Sequence, residues 1–125
     1  MPFKDPKIRK AKQREYSRLW YLSNKEATQE SVAKRKRRLR TEWFEYKAKQ
    51  KCSNCGFSHP ATIDFHHVVK QHKRSVNYLA AKLHNVRAAI REAEEKCIPL
   101  CSNCHRILHW QEHEGIKAKR KKKRR

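Results

Sequence analysis

The chain has 125 residues, 33 Lys and Arg against 12 Asp and Glu, and a formal net charge of +21. Its composition, 37% hydrophobic and 36% charged, lies on the polar side of the about 45–50% and 25% of an ordinary globular domain, so one small domain with extensions is expected and two ordinary domains are excluded. No run of 18 apolar residues occurs, and the opening MPFKDPKIRKAK has no apolar stretch, so neither a membrane span nor a secretory signal is expected.

The charge is uneven. Residues 1–50 hold 16 basic and 6 acidic side chains, residues 51–116 hold 9 and 6, and residues 117–125 hold 8 and none. Polycationic flanks around a near-neutral middle point to a polyanion, with nucleic acid as the first choice. A cationic helix on a membrane surface is the rival reading.

In chain order, residues 1–50 read as a basic helical arm. Lys7 to Leu22 lacks Gly and Pro, Ser23-Asn24 is a break, and Glu26 to about Gln50 again lacks both. Apolar positions are too sparse there for a core. The arm can lie along a phosphate backbone, through Lys34, Arg35, Lys36, Arg37 and Arg38, with Tyr16, Trp20 and Tyr21 interleaved. Trp43, Phe44 and Tyr46 stand next to the Cys-rich segment and are expected to pack on it.

Residues 51–116 form the expected folded domain. Ala61–Phe65 alternates apolar and polar, which predicts a short strand. A polar loop follows, with Lys70, His72, Lys73 and Arg74 as general phosphate contacts. Val76 to Lys96 has helical spacing, and Cys97–Leu100 reads as a second strand with Pro99 at an edge or end. A last helix, capped by Ser102 or Asn103, is expected to run to about Glu114 with Gly115 just past it. Residues 117–125, KAKRKKKRR, read as a disordered basic tail.

Two constellations carry chemistry. Cys52-x-x-Cys55 and Cys101-x-x-Cys104 can close a tetrahedral thiolate site for a structural Zn2+ ion. The intervening stretch exceeds the roughly 15–20 residues of a simple ribbon and must hold a folded unit. The odd cysteine, Cys97, is expected to be an inert core thiol, in a reducing compartment. The second constellation is His66-His67 with His105-x-x-x-His109. His105 and His109 share a helix face, and adjacent strand residues point opposite ways. One of His66 and His67 can therefore face a divalent ion with His105 and His109, while the other faces an attacking water. The plainer reading has His105 completing the zinc site and the other histidines at the surface.

Asp64-Phe-His-His67, followed by Cys97-Ile-Pro-Leu-Cys-Ser-Asn-Cys-His105-Arg-Ile-Leu-His109 and preceded by Cys52-x-x-Cys55-Gly56, resembles the HNH endonucleases. It is most similar to their small, cysteine-bearing phage versions, over about half the chain. The resemblance implies a small α+β fold: a ββα-metal (His-Me finger) core with a zinc knuckle, preceded by basic N-terminal helices. It implies that His66, His105 and His109 hold a catalytic divalent ion, Mg2+ or Mn2+ or another. It implies that His67 is the general base, and that Cys52, Cys55, Cys101 and Cys104 hold zinc. Arg106, beside His105, could contact the scissile phosphate. The family's middle Asn has no match here, because its register falls near Glu94, Glu95 and Lys96.

The expected function is metal-dependent DNA endonuclease in the cytoplasm, the bacterial host's if phage-encoded. One active site per chain favours nicking unless the protein forms a homodimer. The resemblance implies a phage setting such as packaging or homing. The competing class is a non-catalytic, zinc-stabilised nucleic-acid-binding protein, for which the His66-His67 pair would have no use.

Overall fold

The computed structural model describes residues 4–70 and 73–124, and these divide into two compact units at Arg37 and Arg38. His72, expected among the phosphate contacts, and Arg125 of the tail lie outside the described residues.

The first unit contains α1 (Pro6–Ser23) and the start of α2 (Lys25–Ala48). Asp5 caps α1 by accepting from the Lys7 amide at 2.8 Å, and Pro6 stands where a missing N–H costs nothing. Asn24 ends α1. Its side-chain amide donates to the Trp20 carbonyl at 2.8 Å, and its own carbonyl accepts from Thr28 as α2 begins. α1 buries no side chain, as its sparse apolar residues led one to expect.

The second unit starts inside α2. The expected arm ran to residue 50, but Arg38–Gln50 belong to the Cys/His body. Leu39, Trp43 and Tyr46 recur at helical spacing and pack with Val76, Ala80, Val86, Ala89 and Ala93. Of the three aromatic residues expected there, Phe44 turns outward instead, under Arg40 and Lys47.

Two strands, β1 (Ile63–His67) and β2 (Cys97–Cys101), pair antiparallel, with Ile63 opposite Cys101 and His67 opposite Cys97. The α+β class is as expected. Phe65 stacks near Trp43 and Tyr46, with ring centroids 5.6 and 6.0 Å away. A second cluster gathers Cys52, Ile63, Leu100 and Cys101, with Ile98 and Leu108 at its margin. Phe65 packs against both clusters. Ile63 has no exposed surface; cutting it to Ala would cost about 2–5 kcal/mol at such a site.

The single helix expected over Val76–Lys96 is broken. A π-helical turn occupies Tyr78–Lys82, and α3 spans Val86–Lys96. The break centres on His84, which adopts φ 50°, and Asn85, whose side chain caps α3 by accepting from Ala88. A left-handed residue cannot continue a right-handed helix, and an Asx cap restarts one.

α4 runs from Ser102 to Arg124, past both Gly115 and the expected end near Glu114. The tail is therefore helical through Arg124, not disordered as expected. Lys, Arg and Ala are good helix formers, and one Gly costs only about 1 kcal/mol. Lys117 also pairs with Glu114 at 2.9 Å. Among the described residues no helix is long and apolar enough to cross a membrane.

Candidate metal centres

The four-cysteine centre is built from two matching turns. In each, the last cysteine's amide points at the first one's sulfur: Cys55 N to Cys52 Sγ and Cys104 N to Cys101 Sγ, both 3.5 Å. Gly56, at φ 75°, closes the first turn by donating to the Cys52 carbonyl. The Ser53 amide donates to Pro99 O at 2.9 Å and fastens this turn to β2. Asn54 reaches across to Cys104 Sγ at 3.3 Å.

All four sulfurs lie within 4.8 Å of one another, so the set can hold a metal ion. Four soft thiolates in a closed set suit zinc. Burial pushes the Cys52 thiol up, but hydrogen bonds from the backbone of Cys101, Cys55 and Asn54 outweigh it and bring it down to about 6. At Cys104 the Asn54 amide favours the thiolate, yet the neighbouring sulfurs of Cys101, Cys55 and Cys52 prevail and push it up to about 12. Four thiolates this close repel unless a cation stands among them, which is what zinc supplies.

The histidine centre lies on the face where α4 meets β1. His66 is buried in β1, and His105 and His109 come from successive turns of α4. Their ligand nitrogens lie within 4.8 Å of one another, and the Nε2 atoms of His105 and His109 are 2.9 Å apart. Burial lowers the His66 pKa, with Glu112 opposing and the neighbouring histidines reinforcing. A neutral imidazole is the form that ligates metals. His105 therefore belongs to the histidine group and not to the cysteine group.

His67, one residue on, faces the other side of the sheet, as strand alternation requires. Its Nε2 is 3.1 Å from Glu92 Oε1. Glu92 in turn pairs with Lys96 at 3.2 Å. Burial pushes the Glu92 carboxyl up, but hydrogen bonds to Lys96 and His67 prevail and hold it below the usual carboxylate range.

Sequence reasoning missed three acidic neighbours. Glu92, not Glu94 or Glu95, meets His67, and its place one helical turn before Lys96 was the available signal. Asp64 lies 3.5 Å from His105 Nδ1, and its place two residues before His66 puts both on one strand face. Glu112 lies 3.5 Å from His109 Nδ1 and 3.8 Å from His66 Nε2, and its i+7 spacing from His105 marked the shared helix face.

The expected phosphate contacts are less gathered. Lys34, Arg35, Lys36 and Arg37 belong to the first unit, with Lys34 paired to Glu30 at 3.1 Å. Arg38, Lys70, Lys73, Arg74 and Arg106 are exposed in the second, and Arg74 lies over the Tyr78 ring at 4.9 Å. His113 is exposed and outside both metal groups. No protein-family model, no curated protein and no solved structure matches this chain.

Proposed function

We propose that this protein is a metal-dependent DNA endonuclease of the HNH type, with a ββα-metal core that cleaves phosphodiester bonds. One observation carries the reading: three imidazoles, His66 of β1 and His105 and His109 of α4, have ligand nitrogens within 4.8 Å of one another, while the adjacent strand residue, His67, is held by a carboxylate. A purely binding module has no need of that second histidine.

In this mechanism His67 takes a proton from the attacking water. Glu92 fixes the ring's orientation and stabilises the imidazolium that forms. The water oxygen bonds to phosphorus and the bond to the 3′ oxygen breaks. His66, His105 and His109 would hold a divalent ion, which when bound would supply Lewis-acid stabilisation of the charge that develops on the phosphate. Three nitrogen donors fit Mn2+, Zn2+ or Ni2+ better than Mg2+, which demands oxygens. Arg106, exposed next to His105 on the same helix, would contact a phosphate bound there. The cationic surfaces, +21 in all, hold the duplex through phosphates and read little sequence. A reducing, cytoplasmic setting accords with the four-thiol centre, and a phage-encoded role rests on the resemblance to the HNH endonucleases alone.

Supercoiled plasmid is the test. Nicking or linearisation should require an added divalent ion and stop with chelator. It should also vanish in His67→Ala. Plasmid that is bound but uncut under every divalent ion would leave the non-catalytic, zinc-stabilised binding protein as the correct reading.

A further inference from the structure

We infer that Asp64 and Glu112 are positioning residues for the histidine-bound ion, each accepting a hydrogen bond from the Nδ1–H of one imidazole and so leaving its Nε2 lone pair toward the metal. This rests on the metal-site reading above and not on the nuclease activity.

The four groups form one chain. Asp64 Oδ2 lies 3.5 Å from His105 Nδ1, and Glu112 Oε2 lies 3.5 Å from His109 Nδ1. Between them the two Nε2 atoms face each other at 2.9 Å. A neutral imidazole carries one ring proton. If either ring kept it on Nε2, a bare Nδ1 lone pair would face a carboxylate. With both protons on Nδ1, each carboxylate accepts a hydrogen bond from one ring, and two lone pairs converge on the same small space. That convergence is repulsive when empty and attractive around a cation, so the carboxylates pre-set the ring state that a metal needs.

Both carboxylates are placed by local structure. Asp64 stands on the His66 face of β1, and Ser102 Oγ, at the start of α4, lies 3.4 Å from its Oδ2. Glu112 lies three residues beyond His109 on α4, and its other oxygen is 3.8 Å from His66 Nε2. The carboxylate thus sits between two of the three imidazoles. It is outside the group of ligand atoms that lie within 4.8 Å of one another.

The test is a Co2+ titration of full-length protein whose cysteine centre is already filled with zinc. Visible absorption and chelator competition report the histidine site directly, without any cleavage assay. Asp64→Ala and Glu112→Ala should each weaken Co2+ about 10–100-fold, with the cysteine-bound zinc unchanged. Asp64→Asn and Glu112→Gln keep a carbonyl acceptor for Nδ1–H and should return to within about threefold of wild type, with the wild-type Co2+ spectrum. Ala variants that bind like wild type would overturn the inference. So would a Glu112→Gln protein as weak as Glu112→Ala with a changed spectrum, because that marks an oxygen bound to the ion itself. If wild type and His109→Ala alike take up no second ion, the metal-site reading fails, and this inference with it.

Discussion

Glu92 Oε1 lies 3.1 Å from His67 Nε2, across from the face of β1 on which His66 meets His105 and His109. Two neighbouring histidines are thus held by different partners: one by imidazoles that share a site, one by a carboxylate. The pairing separates two kinds of loss.

Replacing His67 by Ala should reduce cleavage about 10²–10⁴-fold, the usual contribution of a positioned base, while metal and DNA still bind. Excess metal should not restore it. His66→Ala and His109→Ala should instead lower metal occupancy, which mass action offsets, so raising the divalent ion should partly rescue them. Plasmid cleavage against metal concentration distinguishes the three. Rescue of His67→Ala but not of His66→Ala would reverse the roles.

Glu92 should also govern acid stability. Its folded pKa lies below the ordinary 4.5 because Lys96 and His67 outweigh burial. A depressed carboxyl contributes stability that is present above the unfolded pKa and lost as pH falls through the folded value. In zinc-loaded protein, thermal midpoints between pH 6 and 3 should therefore fall less steeply for Glu92→Gln than for wild type. An unchanged acid limb would show that the contact contributes nothing.

Removing zinc should unfold the second unit. Cys52 and Cys101 are buried in the same cluster as Ile63 and Leu100, so the sulfurs are part of the core. Binding at such a site is folding free energy. Circular dichroism should lose its cooperative melt after chelation and in Cys52→Ala/Cys55→Ala. Elemental analysis should find zinc in wild type and none at that site in the double variant.

Truncation after Ile116 removes eight cationic residues and no metal ligand. DNA binding should weaken and its dependence on salt should flatten, because fewer counterions are released. Cleavage at saturating DNA should be retained. Equal salt slopes for the two proteins, by fluorescence anisotropy, would exclude the tail as a phosphate contact.

Cys97 should be a slow thiol. Burial, with Glu92 nearby, pushes it up to about 11. Only about one molecule in a thousand then carries the thiolate at pH 8. Iodoacetamide added to zinc-loaded protein should modify it about 100-fold more slowly than an ordinary thiol, read by mass spectrometry.

The site was largely legible in the sequence because its signals are periodic. Two C-x-x-C pairs name their own turns, His105 and His109 are one helical turn apart, and strand alternation separates His66 from His67. Asp64 and Glu112 obey the same spacings, but carboxylates are too common on surfaces to stand out among 12. The break at His84 was not legible, because a left-handed non-glycine residue has no composition of its own. The helical tail was hidden for another reason. Like charges argue against order, while the intrinsic propensity of Lys and Arg argues for a helix, and here propensity prevails.

Cys104 and His105 are consecutive residues, so the last thiolate and an imidazole ligand hang from one peptide unit. An α-helix advances about 100° per residue. Inserting one residue between them would leave the knuckle closed while swinging His105 and His109 about a quarter-turn off β1. The first two turns of α4 should therefore tolerate changes at Asn103 and Ile107, which are exposed and outside both metal groups, and no change of length.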